Sequence, residues 1–502
     1  MPKNRFYKSG FTGCFIILYI LCVVFSVCAQ SLYEANQFCL DEAPNTVEMR
    51  DIKDIENVLR AHKQWVYTNG RDGIKANLEY ANLKGLDLSG VNLSKANLYK
   101  ANLTNTKLSK ATLDGTVLNC SNLKKADLTG ASLVDAFLKG ANLEEAVLSS
   151  ANLSNTSLEY ANLSKALFFG AQLNNTKLNA ANMFNAQLQN SRLSAISIDV
   201  EANFSEADFE QAILKDINIK NLNAVGASMV GAELINATID NSDFSSSKFY
   251  QAKLNNTIIK NSSLIESVFI DTEFIDVSFE GSKLDRAIYN PKIYENINLS
   301  KASGLSSLNF SDASPVRYLE KRAKEIGLIR EDRALSAALR KYYISDLPIY
   351  EKVFEYFLFD FFTDSGENPF KPFFILIVSI LPFSLIYIKA LSCKTEDGIF
   401  KVWLKERIRK DLGINNPEKV KFKKITDIKT AFYFSFLSAF SIGWKELNVR
   451  YWIELIQCRE YSLRATGWVR TVSGIQSLFS VYLLAMWALT YFGRPFEFYF
   501  GS

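Results

Sequence analysis

Large apolar residues recur at every fifth position along the chain, from residue 78 to about residue 299. A small residue (Ala, Ser or Thr) stands two positions before most of them, and the positions in between are mainly polar. The frame slips by one residue near Asp199–Glu201 and then continues. A period of five fits neither an α-helix nor a flat strand, so the pattern predicts a chain that turns a corner after every pentad.

Four pentads close one square coil, in which the large residue and the small residue before it both point inward. The interior of so narrow a tube has no room for two large side chains per face, which explains the small residue. With coils stacked at the inter-strand spacing of ~4.8 Å, about eleven coils make a rod on the order of 50 Å long. We therefore predict an all-β fold, a right-handed quadrilateral β-helix. Its predicted core includes Leu78, Leu83, Leu98, Leu103, Leu143, Leu153, Phe204, Phe209 and Phe244.

The Ala-Asn-Leu triplets that end at Leu78, Leu103 and Leu163 resemble the repeats of the pentapeptide-repeat family. The resemblance implies this solenoid, and some soluble members of the family resemble DNA in charge and shape and inhibit topoisomerases. Such mimicry needs a continuous acidic face. Residues 75–192 carry 12 Lys/Arg and 8 Asp/Glu, whereas residues 199–295 carry 8 and 16. Because the first half is basic, we expect a protein partner on the rod, so far unknown, and no nucleic acid.

Helices are predicted to close both ends of the rod, because an open coil would expose its apolar interior. Before the repeats, residues 46–67 place apolar side chains at helical spacing. His62, the only histidine of the chain, is expected to be structural in this cap helix. After the repeats, residues 315–325 and 331–343 are predicted to form two further helices.

The first residues of the chain indicate export. Three basic residues precede an apolar run over Phe15–Phe25, and Ala29 suits a signal-peptidase cut directly after it. An uncleaved N-terminal anchor is the alternative, since residues 11–29 are just long enough to span a bilayer. Either interpretation places the repeats on the exported side.

Few residues of the chain point to chemistry. The seven cysteines show neither a metal-binding spacing nor a disulfide framework, and Cys120 is interpreted as an outward residue of a repeat. The sequence has no Gly-rich phosphate loop and no HExxH spacing, and any nucleophile–His–acid set would have to include His62. We therefore expect no enzyme, no cofactor and no metal site.

The last third of the chain contains apolar runs long enough to cross a bilayer. Pro372–Leu391 and Ser473–Phe492 each have about 20 residues, the length that a membrane-spanning helix needs. Between them, Ala431–Trp444 is apolar but too short to cross, and a re-entrant or interfacial helix suits it better. We predict a membrane module over residues 366–502.

Two spans around a short re-entrant helix resemble the pore module of a potassium channel. A potassium filter reads Thr-Val-Gly-Tyr-Gly-Asp, whose glycines let backbone carbonyls line the pore. Lys445 replaces one of these glycines here and would place four positive charges in the cation path of a tetramer. The module is therefore predicted to be an anchor or oligomerisation unit, and a potassium-type cation channel with the rod as its sensor is the alternative. The degenerate filter is Ser441, Ile442, Gly443, Trp444, Lys445 and Glu446.

Charge in the loop between the spans predicts the topology. Residues 392–430 hold 11 Lys/Arg against 6 Asp/Glu, so the loop is expected to be cytoplasmic by the positive-inside rule. Within it Phe400, Trp403, Ile408 and Leu412 form an apolar stripe at helical spacing. This stripe predicts a helix on an anionic membrane surface, and a solvated basic helix is the alternative.

Together these patterns predict a membrane-anchored scaffold or binding protein of the cell envelope. The rod would be exported, which means periplasmic in a bacterium, and the multi-pass module would contact membrane lipids. A homo-oligomer is compatible with the channel-like plan. The predicted domains are 1–29 (signal peptide or anchor), 30–73 (cap helix), 74–310 (β-helix), 311–365 (helical cap and linker) and 366–502 (membrane module).

Overall fold

The structure is a computed structural model that describes residue 39 and residues 50–51, 55–364, 366, 368–392, 397–403, 418–420, 425–440 and 461–492. The chain divides into two compact units, and the boundary between them falls after Ala338. The first unit contains the repeats and the second contains the apolar runs. The predicted signal or anchor segment over residues 1–29 and the predicted filter Ser441–Glu446 lie outside the described residues.

The pentads stack into columns of parallel pairing. In the column that begins at Asn82, each residue pairs with the one twenty positions later, through eleven steps that end at Ser303. One step, from Asn182 to Asn203, spans 21 residues, so the predicted frame slip lies between two coils and the stack continues across it. Columns five residues apart make a four-sided parallel β-helix, and the other three begin at Asn77, Asp87 and Asn92.

Strands in these columns are short, because each face of the coil holds only about three residues. On many faces, neighbouring coils are paired through a single β-bridge. The remaining faces form strands, which pair in parallel throughout the rod. They are β1 Arg50–Asp51, β2 Ala81–Asn82, β3 Gln172–Asn174, β4 Arg192–Ser194, β5 Ser197–Ile198, β6 Ala202–Asn203, β7 Ile213–Lys215, β8 Asn218–Lys220, β9 Leu222–Asn223, β10 Glu233–Ile235, β11 Thr238–Asp240, β12 Lys253–Lys260, β13 Val268–Ile270, β14 Glu273–Ser278, β15 Ile288–Asn290 and β16 Ile293–Glu295.

The corners of the coil are made by the two residues that follow each large apolar one. At the first corner the N–H of Ala81 donates to the carbonyl of Leu78 at 3.0 Å, and Tyr80 between them has a φ of 54°. This is the geometry of a type II turn, whose third residue needs positive φ. Positive φ recurs at the same pentad position along the rod, at Lys and Tyr as well as Gly and Asn. Because positive φ strains a residue with a Cβ, stacking of the coils must stabilise these corners.

The interior of the rod is apolar and shielded from solvent. The nine predicted core residues, from Leu78 to Phe244, are all 0–2% exposed. Inward threonines bond back to the preceding coil, as Thr106 Oγ1 does to the carbonyl of Leu83 at 2.9 Å. This bond satisfies the hydroxyl, so a buried Thr can replace Ala without leaving an unpaired polar group.

A strand and a helix close the N-terminal end. β1 pairs with β2 in the first coil, and α1 (Ile55–Tyr67) follows it. His62 on α1 is fully buried, and its Nδ1 accepts a hydrogen bond from the N–H of Ala76 at 3.1 Å. The structural role expected of His62 is confirmed. Of the helix predicted over 46–67, residues 55–67 are helical, residues 50–51 pair with the sheet instead, and the other positions lie outside the described residues.

Two helices follow the last coil. α2 (Ser314–Glu325) carries Pro315 in its first turn, and α3 (Ile329–Ser345) continues past the boundary between the units. The hydroxyl of Tyr318 on α2 accepts a hydrogen bond from the N–H of Asn296 at 2.9 Å. This contact ties α2 to the end of the β-helix, where the cap was expected.

The described residues of the second unit are mainly helical and include a small antiparallel sheet. Strand β17 lies between β18 and β19 in this sheet. The predicted helix is wrong at Phe400 and Trp403, because residues 399–403 are extended and pair with residues 461–465; its other positions, Ile408 and Leu412, lie outside the described residues. The elements are α4 (Ile349–Glu355), a π-helical turn (Tyr356–Asp360), α5 (Phe361–Thr363), α6 (Lys371–Ser392), β17 (Ile399–Trp403), β18 (Glu418–Lys419), α7 (Ile425–Ala439), β19 (Tyr461–Ala465) and α8 (Gly467–Phe492).

Candidate functional site

One face of the rod is a ladder of asparagine side chains. In the column that begins at Asn82, Nδ2 of Asn142 donates to Oδ1 of Asn122 at 3.3 Å. In the next coil Nδ2 of Asn162 donates to Oδ1 of Asn142 at 3.2 Å. The same Oδ1 accepts from the N–H of Glu144 at 3.1 Å. These amides hold successive coils together, so this face is structural.

Charged side chains on the rod pair between neighbouring coils. The nitrogen–oxygen distances run from 2.7 to 3.7 Å, and each pair joins residues 20 or 21 positions apart. Exposed pairs of this kind contribute only ~0–1 kcal/mol each, but they cancel charge locally and so interrupt the acidic half of the rod. The pairs are Lys107–Asp87, Lys124–Glu144, Lys125–Glu145, Lys220–Asp199, Lys253–Glu233, Lys260–Asp240, Arg286–Glu266 and Lys301–Glu280.

Aromatic rings and ammonium groups gather at one corner of the rod. The rings of Tyr80 and Tyr99 meet edge to face at 6.0 Å, and Nζ of Lys100 lies 5.2 Å from the centroid of Tyr99. Two coils further on, Nζ of Lys139 lies 5.5 Å from the centroid of Tyr160. We call these five residues the tyrosine–lysine corner. Tyrosine is enriched at protein interfaces because its ring is apolar and its hydroxyl polar, which makes this corner the candidate binding surface.

A disulfide lies at the same corner. Cys120 follows Lys100 in the stack and is bonded to Cys39, with the two Cα atoms 5.7 Å apart. The expectation that no disulfide is present was therefore wrong, although the outward position of Cys120 was correct. The bond fastens Cys39 to a corner of the rod 81 residues away in the chain.

Catalytic and metal-binding clusters are not apparent among the described residues. No three His, Cys, Asp or Glu side chains there are close enough to hold a metal ion. Burial lowers the pKa of His62, and the positive charge of Lys75 lowers it further, against a hydrogen bond to the Ser94 backbone that raises it. A neutral imidazole that accepts a backbone hydrogen bond suits a structural role.

Three helices of the second unit share a buried polar network. The hydroxyl of Tyr387 on α6 donates to Oε1 of Gln476 on α8 at 2.8 Å, and Nε2 of Gln476 donates to the carbonyl of Ser435 on α7 at 3.0 Å. Oγ of Ser435 donates in turn to the carbonyl of Ile380 at 2.9 Å. All three side chains are fully buried, so the network fixes α7 between the two long helices.

The short helix α7 ends part-way along its neighbours. Ala439, its last residue, is buried in one cluster with Leu376 and Ile380 of α6 and Leu483 of α8. The segment predicted over 431–444 thus begins earlier, at residue 425, and its helix stops near the middle of α6 and α8. The second apolar helix also begins earlier than predicted, at residue 467.

The repeats match a known family. A family model described as pentapeptide repeats, in eight copies, matches residues 74–109, 96–133, 106–144, 146–183, 202–241 and 212–250. The rod is a pentapeptide-repeat domain. These matches cover about a third of the chain, and all of them lie within the β-helix.

Solved structures of several pentapeptide-repeat proteins are similar to this domain. HetL, involved in heterocyst differentiation regulation in the cyanobacterium Nostoc, shares 21% identity over 52% of this chain and 98% of its own, with a TM-score of 0.28. QnrB1, a plasmid-mediated fluoroquinolone resistance protein, shares 14% identity over 47% of this chain and 96% of its own, with a TM-score of 0.17. No curated protein matches the chain at a significant level.

The predicted site residues have different outcomes. The nine core residues line the interior of the pentapeptide-repeat domain, whereas the predicted filter Ser441–Glu446 lies outside the described residues and stays a prediction. The tyrosine–lysine corner was missed by sequence reasoning. The sequence does contain a signal for this corner: Tyr80, Lys100, Cys120 and Tyr160 are separated by multiples of twenty residues, and one coil contains twenty residues.

Proposed function

We propose that this chain is a membrane-anchored scaffold, in which the pentapeptide-repeat domain offers a binding surface and the second unit is the anchor. The observation that carries the proposal is the pair of long apolar helices. Lys371–Ser392 and Gly467–Tyr491 have mean hydropathies of 2.3 and 1.5 over their most apolar windows, and each is long enough to cross a bilayer.

Two observations support an exported rod. Disulfides persist in oxidising compartments and are rare in the cytosol, and the Cys39–Cys120 bond lies on the rod. The basic loop over residues 392–430 favours the cytoplasmic side, which places the start of α6 on the opposite side. In a bacterium the pentapeptide-repeat domain would then be periplasmic.

The tyrosine–lysine corner is the surface that we assign to a protein partner. Eight ion pairs join neighbouring coils among the other charged residues of the rod, and the asparagine face is used for stacking. We expect the double variant Tyr160→Ala/Lys139→Ala to weaken partner capture, while the matched variant Lys165→Ala on another corner leaves it unchanged.

Membrane fractionation with protease protection tests the anchor and its topology. Full-length protein should resist extraction from membranes by alkaline carbonate, and protease added to the exported side should digest the rod. Release by carbonate would overturn the anchoring. Digestion of the rod only from the cytoplasmic side would overturn its export.

A cation channel is the second candidate, and the position of α7 favours it. The helix is hydrogen-bonded between α6 and α8 and ends near their middle, which suits a pore helix that leads into Ser441–Glu446. Planar bilayers with a potassium gradient distinguish the two functions. A scaffold predicts no wild-type current, with Lys445→Gly as the variant that could restore one, whereas a channel predicts wild-type current that Gly443→Ala abolishes.

A further inference from the structure

The two long helices pack antiparallel, and their contacts define a common depth scale. Phe373 near the start of α6 lies against Trp487 near the end of α8, with ring centroids 6.2 Å apart. Further along, Tyr387 of α6 is hydrogen-bonded to Gln476 of α8. If α6 and α8 cross the membrane as proposed above, the middle of the bilayer lies near residue 381 of α6 and residue 480 of α8.

The short helix α5 lies at this middle level, although it precedes α6 in the chain. The ring of Phe362 lies 5.9 Å from Phe479 and 5.5 Å from Tyr482. Phe370, only eight residues later, lies against Tyr491 at 5.8 Å. At 1.5 Å per residue, Tyr482 and Tyr491 are about 14 Å apart along α8. The chain therefore reaches the middle of the helical pair, turns back and then begins α6.

The segment from α4 to α5 is apolar outside and charged inside. Five of its apolar side chains are between 49% and 63% exposed: Val353, Phe354, Tyr356, Phe357 and Phe361. Two of its three acidic side chains, Glu355 and Asp360, turn inward instead, to an arginine that is only 5% exposed. This arrangement is the reverse of that on a water-facing helix.

The inward arginine is Arg340 of α3. Its guanidinium pairs with Glu355 at 2.5 Å and with Asp360 at 3.5 Å, and it lies 3.8 Å from the ring centroid of Phe359. Charges at membrane depth are tolerated when they are paired and face protein rather than lipid. The π-helical turn over Tyr356–Asp360 places Glu355 and Asp360 on the same arginine.

We propose that residues 349–363 form a re-entrant membrane element, which enters the bilayer where α6 begins and reaches its middle. Its exposed face contacts lipid acyl chains and continues the exposed apolar face of α6, at Phe374, Leu381 and Leu385. At the middle level Phe362 packs on the cluster that contains Ala439 of α7. Two short helices, α5 and α7, thus meet at the middle of the bilayer, which they enter from opposite sides. This inference rests on the proposed membrane anchor.

Depth-dependent fluorescence quenching tests the proposal on the full chain in liposomes. An environment-sensitive fluorophore is attached at Phe357→Cys, with every cysteine except Cys39 and Cys120 replaced by serine. Lipids with a nitroxide deep in the acyl chain and aqueous iodide are the two quenchers. Leu385→Cys on α6 is the membrane control, and Phe169→Cys on the rod is the aqueous control. We expect the label at 357 to match the label at 385, with strong lipid quenching and iodide quenching several-fold below that at 169.

The controls separate failure of this inference from failure of the anchor. Lipid quenching at 385 together with iodide quenching at 357 overturns the re-entrant element and leaves the anchor intact. Absence of lipid quenching at 385 overturns the anchor itself. A label at 357 that is protected from both quenchers means that a second copy of the chain covers this face, which also overturns lipid contact.

The inward ion pair provides a second test. Arg340→Gln leaves Glu355 and Asp360 without their cation at membrane depth, so the segment should move toward water. We expect iodide quenching at 357 to rise several-fold in this variant and to return when Arg340→Gln is combined with Glu355→Gln and Asp360→Asn. Unchanged quenching in Arg340→Gln would contradict the membrane depth of the pair.

Discussion

The pentapeptide-repeat domain and the helical unit differ most in the side chains that they expose. Among the described residues of the rod between 76 and 309, six large apolar side chains are exposed, whereas 23 are exposed among the described residues from 349 onward. The rod places polar residues outside and Leu, Phe and Ala inside. The helical unit places phenylalanine and leucine outside and hides Gln476, Ser435 and Arg340.

This difference is what the proposed membrane anchor predicts, with the rod in water and the helical unit in lipid. In water an apolar interior stabilises the rod by roughly 25 cal/mol for each Å² of apolar surface buried. In lipid that driving force is absent between helices, and association depends on close packing and on hydrogen bonds. Substitutions test this comparison most directly when a charged residue is placed in the interior of the rod or an apolar residue replaces a buried polar one in the helical unit.

A charge in the interior of the rod should have the largest effect. Leu143→Asp buries an uncompensated carboxylate in a fully enclosed position and removes the packing of the leucine, so we expect a loss of at least about 4 kcal/mol. Far-UV circular dichroism of the detergent-solubilised chain should show the β signal melting at a much lower temperature, while the helical signal persists.

The matched control is Lys165→Asp, which introduces the same charge at an exposed corner of the rod. Its melting temperature should stay within a few degrees of the wild type. Equal losses in the two variants would mean that added negative charge, rather than burial, destabilises the rod.

Loss of the disulfide should have the next largest effect, again confined to the rod. Cys39→Ser frees a segment that is otherwise cross-linked over 81 residues, and removal of a native disulfide costs ~2–4 kcal/mol. Thermal unfolding with and without reductant measures this loss of stability. Reductant should lower the wild-type melting temperature and leave Cys39→Ser unchanged, and a reductant effect on the variant would contradict this assignment.

The rod could be predicted almost residue by residue because its information is local. Each pentad repeats the same rule, so Leu78 and Phe244 could be placed in the core from spacing alone. Long-range pairing has no such signal. Cys39 and Cys120 are far apart in sequence, and β17 pairs with β19 some 60 residues later, so periodicity suggested a helix where the structure has a strand.

The candidate binding surface and the proposed re-entrant element over residues 349–363 were missed for a related reason. The tyrosine–lysine corner appears only when residues 20 positions apart are compared, which requires the coil register and not merely the pentad. The depth of Phe362 depends on its contact with Tyr482, 120 residues later in the chain. Composition marked this region as apolar but could not show that it lies beside the middle of α8.

A substitution in the polar network should affect only the helical unit. Gln476→Leu deprives Tyr387 and Ser435 of buried hydrogen bonds, and an unsatisfied buried group costs ~1–3 kcal/mol. We expect a lower melting temperature for the α-helical signal in detergent and no change in the β signal. Adding Tyr387→Phe should recover part of the loss, and an additive second loss would mean that the two groups do not interact.

The smallest effect should come from His62, which should make the N-terminal cap of the rod sensitive to mild acid. Burial lowers its pKa below the ordinary value of 6.5, so the folded state favours neutral imidazole. The stabilisation is complete above 6.5 and is lost as the pH falls through the folded pKa. Protonated Nδ1 cannot accept from the N–H of Ala76, so the cap should loosen while the coils behind it stay closed.

Hydrogen exchange at about pH 7.5 and about pH 5.5, corrected for intrinsic rates, measures this effect. Protection of the Ala76 amide and of α1 should fall in acid, and protection around Leu143 should not. His62→Asn keeps an acceptor at the same place without a titrating group, so its protection should be independent of pH. Equal acid sensitivity in His62→Asn would assign the loosening to another group. The cap would then owe its stability to β1 and the apolar face of α1 rather than to the histidine.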